Sequence, residues 1–222
     1  VTAVIQSSSA TTVMVIGFIN AGLLTLTQAI GIIFGANVGT TVTAQIISFN
    51  LSGLALPAIT LGFLITLSKK REINGWGETL LGFGLLFFGM TMMSDELRVL
   101  GDFPSFKEFF KAFDCMPAEP GNWMPLGAVL GAIGIGIAAT VLIQSSSAAM
   151  GIVLALAGSG LINFYTAVPL LLGTNIGTTI TAMLAAAAAN RVAKQAALAH
   201  TLFNVFGVLL MLIFFYVPYG PE

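Results

Sequence analysis

The polar residues of this sequence are written twice. Gln6-Ser7-Ser8-Ser9 returns as Gln144-Ser145-Ser146-Ser147, and Gly35-Ala36-Asn37-Val38-Gly39-Thr40-Thr41 returns as Gly173-Thr174-Asn175-Ile176-Gly177-Thr178-Thr179. One offset of 138 residues relates both pairs, and it also carries Gly22 onto Gly160 and Thr43 onto Thr181 without a gap. Such agreement between rare polar patterns marks two copies of one structural unit, and any fold must accommodate both.

Around these motifs the sequence is apolar. Of 222 residues, 57% are hydrophobic and only 8% are charged, against about 25% charged in a typical soluble domain. The charges cluster at 69–78, 95–119 and 191–194, with Glu222 at the end, and no Lys or Arg lies inside an apolar segment. Segments close to the ~20 residues that cross a bilayer lie between them, so the fold class is an all-α membrane protein. The expected spans are Leu54 to Leu67, Trp76 to Met93 and Ala196 to Pro218. Leu26 to Ser48 and Phe164 to Ala189 read as spans broken near Asn37 and Asn175. Phe106, Phe109, Phe110 and Phe113, set among charges, read as an amphipathic stretch in the interface. Cys115, the one cysteine, reads as a lone thiol in a loop. A net charge of −1 says nothing of partners, and no nucleic-acid partner is expected.

Trp123 to Gly158 is too long for one crossing, and Gln144-Ser145-Ser146-Ser147 breaks it, so it reads as a re-entrant helical hairpin with Gln144 at its tip. The second copy then crosses the membrane an odd number of times, and a tandem copy must insert upside down. Inverted-topology repeats follow, each with a re-entrant helical hairpin and a discontinuous transmembrane helix. Within one membrane domain, residues 1–68 are the first repeat, 69–75 a linker and 76–218 the second repeat. The first repeat is expected to lack an N-terminal span and hairpin arm, because only five residues precede Gln6.

Helix geometry places the motifs at one depth. Ser9 lies thirteen residues before Gly22, or roughly 20 Å of helix, and Asn37 lies roughly 22 Å beyond it. With the turn at the surface of a core ~30 Å thick, both motifs reach the membrane middle. Polar breaks at that depth persist only where they line a cavity or bind a solute.

Their chemistry suits ions. Ser7, Ser8, Ser9, Ser145, Ser146 and Ser147 offer hydroxyls and helix-start N–H groups to a small polyhedral anion. Gln and Asn carbonyls and Thr hydroxyls offer oxygen to a hard cation. A small oxyanion brings one or more negative charges, and helix ends supply only ~0.5 charge each. With no basic residue in the spans, co-bound cations would balance the rest.

Val4-Ile5-Gln6-Ser7-Ser8-Ser9-Ala10-Thr11-Thr12, the second Gln-Ser-Ser-Ser and both Gly-x-Asn-x-Gly-Thr-Thr motifs closely resemble the sodium-dependent phosphate cotransporter family. Ala199-His200-Thr201-Leu202-Phe203-Asn204 is similar to the family's final span. The resemblance covers nearly the whole chain and extends to the animal type II cotransporters. It implies sodium-coupled symport of inorganic phosphate by alternating access, in the inner membrane of a bacterium. Phosphate would lie between the serine tips, near Asn37 and Asn175. Sodium, co-transported rather than a cofactor, would bind at Gln144, Ser145, Thr178 and Thr181, with Gln6, Thr40 and Thr43 as weaker candidates by pseudo-symmetry. The resemblance also implies a PhoU-like regulatory domain beyond this sequence, and a homo-oligomer is compatible with it.

Alternatives remain: a sodium-coupled sulfate or dicarboxylate transporter, or an ion channel. An intramembrane serine protease would need His200, the only histidine, as its base. The serines come instead in symmetric triplets with no nucleophile–base spacing, and no enzyme activity is expected.

Overall fold

A computed structural model describes residues 1–49, 51–119 and 122–216; of these, the side chains at 52, 106, 107, 109, 215 and 216 lie outside the description. The described residues form helices and connecting turns, with no strand among them. The helices are α1 (Thr2–Ile5), α2 (Ser8–Asn20), α3 (Leu26–Ser48), α4 (Ser52–Thr66), α5 (Arg71–Leu100), α6 (Pro104–Lys111), α7 (Leu126–Ile143), α8 (Ser146–Gly158), α9 (Phe164–Gly177), α10 (Thr179–Ala186) and α11 (Arg191–Tyr216). Among the described residues, five stretches are long and apolar enough to cross a membrane: α3, α5, α7, α9 with α10, and α11. Their outward faces carry exposed Leu85, Phe88, Leu202, Phe206 and Ile213, as lipid-facing helices must.

The Gln-Ser-Ser-Ser motifs build the same turn twice. Gln6 and Gln144 each stand at φ 57°, the left-handed region that ends a helix. Ser7 and Ser145 follow in extended conformation at φ −142° and −141° and cap the next helix. The turn at the far end of that helix also repeats, with Gly22 at φ 73° and Gly160 at φ 78°. Only glycine adopts that conformation without a Cβ penalty, which is why both copies carry it there.

Several expectations change. No break occurs at Gly35–Asn37: α3 runs uninterrupted for 23 residues. The hydroxyls of Thr40 and Thr41 bond back to the carbonyls of Ala36 and Val38, and a continuous ladder leaves no backbone group unsatisfied in lipid. In the second copy the interruption falls at Thr178 rather than at Gly173–Asn175, and Thr178 itself keeps helical angles. The expected span at Leu54–Leu67 is a helix of 15 residues, short of a bilayer crossing. The span expected at Trp76–Met93 extends to the full 30 residues of α5, absorbing residues 71–75 and 94–100. Glu72 in its first turn and Arg98 in its last favour that extension through the helix dipole. The interfacial stretch narrows to α6 and its flanks. Phe110 packs on the core there, whereas the side chains of Phe106 and Phe109 lie outside the described residues. Residues 217–218, the expected end of the last span, lie outside them too.

Cys115 is a lone thiol in the loop between α6 and α7, as expected, but that loop is not open to solvent there. The residue is fully buried against the second-copy core, with its N–H donating to Thr166 Oγ1 at 3.1 Å. Burial pushes its thiol pKa up, so little thiolate forms at neutral pH.

Two cores form. One gathers Val129, Ala132 and Ile133 of α7, Val153 of α8 and Leu170 of α9. The other gathers Val15, Ile16 and Ile19 of α2 and Ala29 and Ile33 of α3 with the alanines of α10 and early α11. The interruption at Thr178 is therefore where the chain passes from the core of its own copy to that of the other. Close approach of α7 and α9 is set by Gly136 and Gly173, whose backbones meet directly. A Cβ at Gly177 would lie 2.8 Å from Thr140 Cβ, and one at Gly39 would lie 2.8 Å from Thr2 Cβ, the same contact in each copy.

Candidate functional site

Three pairs of repeat-related residues converge on one cavity. Ser8 and Ser146, Asn37 and Asn175, and Thr40 and Thr178 line a space of ≈ 290 Å³. Phe203, Asn204 and Met211 of α11 complete one wall, and Met150 and Leu172 contribute apolar surface. Among the described residues, none that lines it is charged.

Helix starts aim at this space. The hydroxyl of Ser7 accepts from Ala10 N at 3.1 Å, and that of Ser145 accepts from Ala148 N at 3.2 Å. These caps satisfy one first-turn N–H in each helix. The N–H groups of Ser8, Ser9, Ser146 and Ser147 find no acceptor among the described residues. Ser8 and Ser146, the first residues of α2 and α8, are buried at 6% and 7% exposure while still lining the cavity. Two positive helix ends and two hydroxyls thus face one polar space, an arrangement suited to an anion.

The other sequence-predicted residues lie elsewhere. Ser7 and Ser145 spend their hydroxyls on capping, and neither they nor Ser9 and Ser147 line the cavity. Thr43 donates to Gln6 Oε1 at 2.6 Å, and Gln6 Nε2 donates to Ala3 O, which places an amide oxygen beside a threonine hydroxyl in the first copy. In the second copy Thr181 Oγ1 turns to Thr178 O at 2.9 Å and Thr178 Oγ1 to Thr174 O at 2.8 Å, while Gln144 is exposed. Gln144 and Ser145 are adjacent in sequence and Thr178 and Thr181 lie one helical turn apart, but no hydrogen bond joins Gln144 to the threonines among the described residues.

Sequence reasoning passed over Asn204 as a site residue. Asn37 Nδ2 donates to Asn204 Oδ1 at 3.2 Å, His200 Nε2 meets Asn37 Oδ1 at 3.3 Å, and Asn204 Nδ2 donates to His200 O at 2.9 Å. The available signal was the i, i+4 spacing of His200 and Asn204 in an otherwise apolar span. His200 is bonded to Asn37, not to a serine, so the geometry of a serine-protease base is not met.

Membrane-length helices close around a cavity that paired serines, asparagines and threonines line, and the starts of two helices stand at its wall, the architecture of a membrane protein with an internal polar site. The chain belongs to the Na+/Pi-cotransporter family, whose profile matches residues 1–95 and 126–217. It is 36% identical to YqeW of Bacillus subtilis over 213 residues, covering 96% of this chain and 66% of that protein. It is 33% identical over 215 residues to YjbB of Salmonella typhimurium, a protein named for inorganic phosphate export, covering 96% of this chain and 37% of that one. Over 92 residues it is 48% identical to the human sodium-dependent phosphate transport protein 2C, covering 39% of this chain and 15% of that protein. No solved structure gives a significant match.

Proposed function

We propose that this chain carries inorganic phosphate across the membrane together with sodium, by alternating access about the cavity between Ser8 and Ser146. The observation that carries the reading is the convergence of three repeat-related pairs on one uncharged cavity. A solute held by matching groups from two copies is released by moving one copy against the other, the usual logic of repeat-built transporters. On this reading residues 1–68 and 76–218 are inverted repeats joined by 69–75. The turns at Gln6 and Gln144 are the tips of re-entrant hairpins. By length alone α7 could cross the bilayer; the re-entrant reading rests on its ending at Gln144, next to a cavity-lining serine.

Phosphate would be held by the Ser8 and Ser146 hydroxyls, by the N–H groups of both serine triplets, and by Asn37 and Asn175. Burying its charge in a space lined by neutral groups is prohibitive without compensation. Sodium ions supply it, on Gln6, Thr40 and Thr43 in one copy and on Gln144, Ser145, Thr178 and Thr181 in the other. The Thr43–Gln6 pair supports the first of these. Phosphate and sodium are both named in the human relative, and the bacterial relatives support a bacterial plasma membrane.

Names among the relatives favour outward transport as a second reading. Coupling does not fix direction, because a symporter runs down the sum of its two gradients. Proteoliposomes loaded with labelled phosphate, with sodium inside, outside or replaced by potassium, test both. Phosphate flux that follows the sodium gradient in sign supports coupling. Flux indifferent to sodium, or a preference for sulfate or dicarboxylates over phosphate, would overturn it.

A further inference from the structure

The triangle of His200, Asn37 and Asn204 has only one consistent set of donors and acceptors. A backbone carbonyl can only accept, so the contact between Asn204 and His200 O must use the Asn204 amide nitrogen. Its oxygen then faces Asn37, which must answer with Nδ2. The Asn37 oxygen is thereby turned to His200, and Nε2 of the ring must carry the proton. His200 is 1% exposed, and its Nδ1 has no partner among the described residues, as befits the unprotonated nitrogen of a neutral ring. The stack of Phe34 on Phe203, with centroids 4.0 Å apart, clamps the same two helices beside it.

We infer that His200 is a positioning residue that sets the polarity of the cavity wall. With Nε2–H anchoring Asn37 Oδ1, each asparagine directs its oxygen into the triangle and keeps one N–H proton uncommitted on the cavity side. The wall made by α3 and α11 therefore offers donors, which select an anion. Without the ring N–H, only the contact with Asn204 Oδ1 opposes a flip of Asn37, and a flipped amide presents its carbonyl oxygen, which repels an anion and attracts a cation. The inference rests on the anion-transport reading and assigns the source of its selectivity.

His200 being the only histidine, its ring reports without overlap. Protein labelled with 15N-histidine, in lipid, should show one protonated nitrogen, Nε2, and one free nitrogen, Nδ1, and Asn37→Leu should shift the Nε2 resonance. A proton on Nδ1, or an Nε2 signal indifferent to Asn37→Leu, overturns the inference whatever the transport activity. In proteoliposomes His200→Leu should raise the phosphate KM roughly tenfold or more. His200→Gln, whose Nε2–H falls where the ring's stood, should restore most of it, and Vmax should move less than KM. Equal KM for His200→Leu and wild type would sink the assignment. A wild type without phosphate flux would instead sink the functional reading beneath it, while the resonance assignment would still be tested.

Discussion

The two copies share a backbone and differ in what holds their side chains. Their turns agree to within a few degrees at Gln6 and Gln144 and at Gly22 and Gly160. Yet Asn37 is tied to His200 and Asn204, whereas Asn175 is exposed on the cavity with no hydrogen-bond partner among the described residues. Gln6 and Gln144 are both exposed, but Gln6 Oε1 accepts from Thr43, whereas the Gln144 side chain has no hydrogen-bond partner among the described residues. The cause lies in what packs on each motif. Helix α11 lies along α3 of the first copy. Its repeat counterpart α4, in which Gly62 and Thr66 stand where α11 has His200 and Asn204, packs on α5 instead. A repeated motif thus specifies a local conformation twice, and its partners only once each.

The largest expected contrast tests this directly. A methyl at Gly173 would press on Ile133 O and lie 3.0 Å from Gly136 Cα, whereas one at Gly35 meets nothing within 4 Å. Gly173→Ala should destabilise by about 1–3 kcal/mol or more through overpacking of backbone on backbone. Gly35→Ala should be neutral or stabilise by up to ~1 kcal/mol, as an alanine does in a helix. Thermal unfolding of both variants in the same detergent checks it. Equal losses would mean that α3 is as closely packed at Gly35 as α9 is at Gly173.

Next come the serines, where the copies should behave alike. Ser8→Ala and Ser146→Ala each remove a hydroxyl facing the proposed anion, and a hydrogen bond to a charged group is worth about 1.5–3 kcal/mol. Each should weaken phosphate binding by roughly tenfold to a hundredfold, read from phosphate dependence of flux in proteoliposomes. A loss confined to one serine would show that the cavity uses one copy only. Thr178→Ala should act more weakly, raising the sodium needed for half-maximal flux by roughly threefold to tenfold, with Thr40→Ala smaller still. An unchanged sodium dependence in both would remove these threonines from the sodium sites.

Much of this arrangement was legible beforehand. Ser8, Ser146, Asn37 and Asn175 could be placed on one level because helical rise is fixed and the glycines at 22 and 160 mark the turns between them. What could not be read was where a helix yields. Gly35-Ala36-Asn37 looks like a break, but the surrounding residues are good enough helix formers, and an unsatisfied backbone in lipid costs so much, that α3 stays whole. Nor could the sequence show that α10 leaves its own copy for the core built by Val15, Ile16 and Ile19, because that depends on the tertiary fit of small residues such as Ala182 and Ala186. Asn204 was missed for the same reason: a single polar residue in a span becomes part of a site only once its neighbour across the helix interface is known.

The smallest effect should also be the most symmetric. Ser7 and Ser145 cap α2 and α8 with nearly equal hydrogen bonds, 3.1 and 3.2 Å, from nearly equal backbone angles. If local sequence alone sets this turn, Ser7→Ala and Ser145→Ala should each cost about 1 kcal/mol of stability, the usual loss for an N-cap. Ser→Asp at either position should recover that loss, since a carboxylate caps as well and complements the helix end. The same carboxylate stands next to Ser8 or Ser146, so it should also lower phosphate affinity while leaving the fold intact. Unequal losses for the two alanine variants would show that neighbouring helices reach the caps as well, and that the backbone identity of the two copies is itself a product of packing.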